Sequence, residues 1–191
     1  MMDVAGSMPT GEERAVWVAS SLPYLSPRSE GQADPWSQEA AQEGRRGTQR
    51  IREVVTEVPP VEVAAALGLP EGAPAVVRRR TMLLDDRPVE LTDSWYPEAI
   101  AAGTALAMPG KIKGGAVTLL AGLGYTVHES REEIEVRGAT PQEAAELMIP
   151  ADAPVIVLRR TCLTAAAVPF EATVMVMVPE GRRLRYRLIE G

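Results

Sequence analysis

The 191-residue sequence predicts an α+β fold, in which short helices pack on an antiparallel β-sheet. The main observation is an internal repeat. Residues 67–81 and 147–161 align without a gap and share 8 of 15 residues, far more than composition alone would give. Each copy has the pattern of a short helix, a turn bounded by proline, a strand, a tight turn and a second strand. Strands joined by hairpins form antiparallel sheets, so the repeat predicts two similar halves.

The remaining elements follow from caps, breakers and alternation. Asp34 and Pro35 form a helix start, and Thr140, Pro141 and Glu143 form a second start with a capping box. The predicted helices are 35–43, 61–67, 97–102, 116–123 and one beginning at Pro141. The predicted strands are 48–58, 75–84, 89–96, 125–137, 155–163, 170–178 and an edge strand at 184–190. Because the helices are short and apolar on one face, we expect them to cover one side of the sheet.

Residues 1–34 are rich in proline, serine and glycine and show no sustained period, which predicts a flexible tail or linker before a domain at 35–191. The N-terminus has no basic start, and its longest apolar run is 15–19, so neither a signal peptide nor a membrane span is expected. The single cysteine, Cys162, excludes an intramolecular disulfide and fits a reducing cytoplasm. We expect it to be a small core residue.

Charge and motifs exclude several classes of function. The formal net charge of -6 argues against a surface devoted to nucleic acid. His128 is the only histidine, which disfavours histidine-cysteine metal sites and triad catalysis. No glycine-rich phosphate loop or dinucleotide fingerprint follows a predicted strand, so no cofactor is expected.

Arg80 and Arg160 occupy the same position in the two copies of the repeat, each in a largely apolar row of its strand. A guanidinium in such a row needs a partner, because a buried unpaired charge is costly. One possible partner is a carboxylate on the returning strand, Glu90 or Glu171, and another is an anionic ligand. A structural arginine–glutamate pair or an arginine that snorkels at the sheet rim would explain the pattern equally well.

The order of several motifs resembles the UTRA domain, the effector-binding domain of the HutC subfamily of GntR-type transcription regulators. The motifs in the first half are R-x-x-x-x-D-x-x-P at 80–88, S-W-Y-P at 94–97 and K-I-K-G-G-A at 111–116. The second half contributes A-T-P-Q-E-A-A-E-L, R-T-x-L, P-F-E and R-Y-R-L, so the resemblance covers about residues 40–190. It implies a chorismate-lyase-like fold with a small-molecule pocket, and a homodimer.

The resemblance implies a winged helix-turn-helix before the effector domain, but the sequence shows no such pattern among its first 34 residues. We therefore expect DNA binding only through a domain that this chain lacks. The chain is then either a fragment of a longer regulator or a free-standing effector domain. The alternative functions are an interaction module that forms heterodimers with full-length regulators, and an enzyme on the chorismate-lyase fold.

The resemblance also implies the effector site. It maps onto residues in both halves of the chain, namely Thr48, Arg80, Met82, Thr92, Gly115, Val117 and Glu171. Three of these positions depart from relatives that bind sugar phosphates, because Met82 replaces a second arginine, Gly115 a serine and Val117 a tyrosine. We therefore expect an effector that is less anionic than a sugar phosphate.

The two copies of the repeat predict different roles for their arginines. Arg80 lies near polar Thr92 and is expected to bind the effector. Arg160 is followed by Cys162 and by a turn of three alanines at 165–167, so it is expected mainly to brace the sheet. Glu171, at the start of the returning strand, is expected to face the pocket and to bond the effector or Arg80.

Overall fold

A computed structural model describes residues 17–19, 22–29 and 32–186. Its strands are β1 (Trp17–Ala19), β2 (Gly47–Glu57), β3 (Ala75–Leu84), β4 (Arg87–Pro97), β5 (Glu129–Gly138), β6 (Pro154–Leu163), β7 (Pro169–Met177) and β8 (Arg182–Leu184). Its helices are α1 (Leu22–Leu25), α2 (Pro35–Gln42), α3 (Val61–Ala66), α4 (Glu98–Ala101), α5 (Gly115–Gly122) and α6 (Pro141–Leu147), with a 3₁₀ turn at Ala105–Ala107.

Six of the strands form one antiparallel sheet in the order β2-β3-β4-β7-β6-β5. The order is symmetric about the contact between β4 and β7, where Asp93 lies opposite Val174. A pseudo-twofold axis at this pair exchanges the two copies of the repeat, so that Arg80 corresponds to Arg160. The α+β fold class and the division into two similar halves are confirmed.

Helices cover both faces of the sheet, so the expectation of one covered side is wrong. On one face, α3 packs Val63 against Val77 and Trp95. On the other face, α2 packs Trp36 against Met82. The reason lies in the strands, which are apolar on both sides: neighbouring residues that point to opposite faces, such as Val76 and Val77, are both buried.

Two strand predictions need correction. Residues 125–128 lie outside β5, because the Tyr125 amide bonds the Leu120 carbonyl at the end of α5 and its ring packs on Phe170. The second correction concerns the edge strand predicted at 184–190: residues 185 and 186, which the structure describes, are not in a strand. The strand there, β8, pairs in parallel with β1 and ends at Leu184; residues 187–190 lie outside the described ranges.

The boundary between a tail and a domain at residue 34 stays a prediction. Several described residues before it contact the domain. The Arg28 amide donates to Thr118 Oγ1 on α5, and the Tyr24 hydroxyl donates to Glu39 on α2. Asp34 caps α2 through the Ser37 amide, as the sequence predicted.

Candidate functional site

A cleft of about 890 Å³ opens on the face of the sheet that α2 and α5 cover. Its floor is formed by β2 and β3, which present Thr48 and Arg80, and by Tyr96 of β4. Its wall is the loop before α5 together with Gly115, the first residue of that helix. The structure therefore brings together three of the predicted site residues, Thr48, Arg80 and Gly115.

The wall of the cleft is held in place by Arg78, a residue that the sequence interpretation did not select. Its guanidinium is buried and donates to four backbone carbonyl oxygens at 2.6–3.2 Å, those of Ala105, Leu106, Met108 and Gly110. Burial lowers the pKa of Arg78. The sequence signal was the run of three arginines at 78–80, in which alternation places Arg78 and Arg80 on the same face.

The loop turns into α5 through two glycines in the left-handed region. Gly114 has φ +77° and Gly115 has φ +84°. A Cβ on Gly114 would lie 3.2 Å from the Thr118 side chain, whereas a Cβ on Gly115 would meet nothing within 4 Å. Gly115 is thus favoured by its backbone conformation, and it leaves open the space that a side chain would fill.

Arg80 separates the cleft from a smaller inner cavity of about 80 Å³ and lines both. Its Nη2 donates to Ser94 Oγ at 2.9 Å, while its Nε is buried and has no hydrogen-bond partner. Met82 and Thr92 line the inner cavity and not the cleft. Thr92 Oγ1 donates to Glu90, whose carboxylate also forms a buried ion pair of 2.9 Å with Arg182.

Glu171 and Val117 lie in the walls of neither space. Glu171 is buried, and its carboxylate accepts a hydrogen bond of 3.0 Å from Thr173 Oγ1. Thr173 Oγ1 lies 3.3 Å from Ser94 Oγ, so Glu171 connects to Arg80 through two hydroxyls and not directly. Val117 is half-buried on α5. The roles of both residues toward an effector stay predictions.

The buried carboxylate of Glu171 affects two neighbours. Burial, and then the charge of Glu171, raises the pKa of Tyr96, whose ring lies in the cleft floor. The same two causes raise the pKa of the Cys162 thiol to about 12. Cys162 is therefore a protonated core residue at neutral pH, as expected from its position.

Arg160 lines the inner cavity from the opposite side to Arg80. It is 9% exposed, and its Nε also has no hydrogen-bond partner. Among the described residues, no carboxylate forms an ion pair with it. The bracing role expected of Arg160 stays a prediction.

Arg28 is a second guanidinium that faces the cleft, from the segment before α2, and no described carboxylate pairs with it. Its Nη1 is buried without a hydrogen-bond partner. Arg52 and Lys111 also line the cleft, but Arg52 bonds Asp93 and Glu146, and Lys111 lies 3.6 Å from Asp34. In the cleft, Arg28 and Arg80 are thus the described guanidiniums available to a ligand.

The chain matches the family model of the UTRA domain over residues 42–181. An uncharacterised HTH-type transcriptional regulator of Streptomyces coelicolor is 34% identical over 105 residues, which are 53% of this chain and 39% of that protein. The chain thus spans about two fifths of the length of this curated relative. No helix in the described ranges has the length and apolar character needed to cross a membrane.

Two solved structures show the same fold. PhnF from Mycobacterium smegmatis superposes with a TM-score of 0.75 at 15% identity, over 93% of this chain and 74% of PhnF. A second structure is the ligand-binding domain of a protein from Bordetella bronchiseptica that is assigned to the GntR family. It superposes with a TM-score of 0.68 at 23% identity, over 86% of this chain and 95% of that domain. The family match covers most of the sequence, and this chain therefore belongs to the UTRA domain family found in GntR-type transcription regulators.

Proposed function

We propose that this domain senses a small-molecule effector for a regulator of the GntR family and HutC subfamily, acting in the cytoplasm. Effector binding would control DNA binding by a winged-helix domain outside this chain. The observation that carries the proposal is Arg80, which stands between the cleft and the inner cavity with a buried Nε that lacks a partner. A ligand that accepts a hydrogen bond would satisfy this group.

The residues around Arg80 support an effector that is less anionic than a sugar phosphate. Met82 and Gly115 contribute no charge or hydrogen-bonding side chain, and Arg52 and Lys111 are already engaged by carboxylates. Thr48, at the entry of β2, offers a hydroxyl to the cleft.

A thermal-shift screen of sugars, sugar phosphates and carboxylic acids tests this function. A ligand that binds only the native state stabilises it by RT ln(1 + [L]/Kd), which is about 2.7 kcal/mol at 100 times its dissociation constant. We expect a carboxylic acid to stabilise the wild type and the Arg50→Met variant, which changes an exposed arginine on β2, but not Arg80→Met. A sugar phosphate that stabilises more than any carboxylic acid would contradict the proposed effector class.

We also propose that the domain forms a homodimer. The edge strand β5 exposes Ile134 and Val136, with Val136 at 68%, and exposed apolar edge strands are usually covered in native proteins. Twofold dimers are the commonest closed assembly. Light scattering should return about twice the chain mass of 20.5 kDa. A mass of one chain at micromolar concentration would exclude this dimer.

A further inference from the structure

The inner cavity lies where the pseudo-twofold axis passes through the sheet. Its floor includes Thr92 and Met175, which are paired across β4 and β7. Arg80 approaches from β3 on one side, and Arg160 approaches from β6 on the other. The repeat thus places two equivalent guanidiniums against the same small cavity.

Neither arginine has a carboxylate partner among the described residues, although carboxylates lie near. Glu90 is occupied by Thr92 and by the ion pair with Arg182. Glu39 accepts a hydrogen bond of 2.6 Å from Tyr24. Glu132 lies opposite Arg160 on β5, and both of its carboxylate oxygens are buried without a hydrogen-bond partner, but no ion pair joins it to Arg160. Both arginines keep a buried Nε without a partner, and Arg160 as a whole is more than nine-tenths buried.

Arg80 and Arg160 carry like charges that face one cavity, so they repel each other, and their burial removes part of their hydration. An anion between them would offset both effects. Arginine suits a carboxylate especially well, since its planar fork donates two parallel hydrogen bonds. The charge arrangement therefore selects a ligand with a carboxylate at the inner end of the site.

The rest of the lining limits the body of the ligand. Apart from the charged groups and Thr92, the cavity is lined by five aliphatic side chains and three aromatic ones, namely Met82, Leu158, Met175, Met177 and Leu184, and Tyr24, Trp36 and Tyr186. The hydroxyl groups of a sugar would lose their hydrogen bonds to water against these side chains. With about 80 Å³ available, the cavity fits a few carbon atoms.

We propose that the effector carries a carboxylate on a short aliphatic chain, and that Arg80 and Arg160 bind this carboxylate together in the inner cavity. The proposal rests on the proposed function, because it names the ligand class of the same site. It assigns Arg160 to ligand binding, in place of the bracing role that the sequence predicted.

Methionine methyl NMR tests the proposal directly, because Met82, Met175 and Met177 line the cavity. Propionate, isobutyrate and isovalerate are titrated into protein labelled with ¹³C at the methionine methyl groups, and isobutyramide serves as the neutral control. We expect saturable shifts of these three methyl signals with at least one carboxylate. The amide should bind at least tenfold more weakly than isobutyrate.

Variants on β6 separate ligand binding from folding. Arg160→Met should weaken carboxylate binding at least tenfold, and Arg160→Lys should retain part of the affinity because it keeps the charge. Arg159→Met is the matched control: Arg159 lies on the same strand but on the opposite face, where it contacts Glu135 and Glu62. This variant should bind as the wild type does.

Three outcomes would overturn the proposal: no saturable shift of the cavity methyls with any of the three acids, equal binding of isobutyramide, or unchanged affinity in a folded Arg160→Met variant. If these NMR experiments fail, the proposed function still stands provided that the thermal-shift screen finds a ligand whose stabilising effect is lost in Arg80→Met. If the screen finds no such ligand while the acids bind the cavity, the proposed function fails and the cavity remains an anion site.

Discussion

The two halves of the sheet share three residue types at equivalent strand positions but differ in the residues beside them. Each half has an arginine, a glutamate and a threonine at equivalent positions: Arg80 and Arg160, Glu90 and Glu171, Thr92 and Thr173. At neighbouring positions the halves differ: Arg78 in the first half corresponds to Leu158 in the second, and Ser94 corresponds to Met175. The two halves therefore share the arginine, glutamate and threonine, whereas two features belong to the first half. Arg78 binds the loop that forms the cleft wall, and the Ser94 hydroxyl accepts a hydrogen bond from Arg80.

The equivalent glutamates show the same divergence. Glu90 is neutralised by Arg182 of β8 and also bonds Thr92. Glu171 bonds Thr173, and no ion pair joins it to a described cation. The same residue type thus pairs with Arg182 of β8 in one half and raises the pKa of Tyr96 in the cleft floor in the other.

Replacing the equivalent residues Arg78 and Leu158 by methionine tests the largest difference between the halves. Arg78→Met removes four hydrogen bonds from a charged donor and leaves the loop carbonyls at 105–110 without partners. We expect it to lower the free energy of unfolding by at least about 3 kcal/mol. Leu158→Met, which nearly conserves volume, should cost less than about 1.5 kcal/mol.

Urea unfolding followed by tryptophan fluorescence measures both changes. Equal losses in the two variants would mean that the loop contributes little and that only strand packing matters. Arg78→Met should also abolish ligand binding in the cleft. Of the arginines of β3, Arg78 is the one that donates hydrogen bonds to the carbonyls of the cleft wall.

The equivalent threonines provide a smaller and more specific comparison. Thr173→Val removes the hydrogen bond to the buried carboxylate of Glu171, which should cost about 2 kcal/mol. Thr92→Val leaves Glu90 with its ion pair to Arg182 and should cost about 1 kcal/mol. Thermal unfolding of the two variants under identical conditions gives the order. If Thr92→Val is the more damaging, Arg182 does not compensate for the lost hydroxyl.

The repeat and its alternation predicted the sheet, the hairpins and the position of Arg80, because strand registers follow from hydrophobic patterning. They did not predict the partners that come from distant segments. Arg78 depends on a loop about 30 residues away, and Glu90 depends on Arg182, 92 residues away. The surroundings of Arg160 also required the structure, because they include residues of the N-terminal segment and of β8.

The helices α3 and α6, which pack on the same face of the sheet, give the smallest expected effect. In the second half, α6 begins with a capping box: Thr140 Oγ1 accepts from the Glu143 amide, and the Glu143 carboxylate accepts from the Thr140 amide at 2.8 Å. In the first half, α3 begins at Pro60 without a side-chain cap. Thr140→Ala should therefore lower the free energy of unfolding by about 1 kcal/mol, whereas Pro60→Ala removes no side-chain cap.

The same capping box predicts a pH dependence that α3, which has no side-chain cap, does not share. Hydrogen bonds from Arg137 hold the pKa of Glu143 at about 2, below its ordinary value of 4.5. Because the folded-state pKa is lowered, the ionised carboxylate stabilises the fold fully above pH about 4.5, and this contribution is lost as the pH falls toward 2. Urea unfolding of wild type and Glu143→Gln from pH 7 to pH 3 should give a difference that stays constant down to about pH 4.5 and then shrinks. A difference that grows below pH 4.5 would mean that the Arg137 contact stabilises the protonated acid instead.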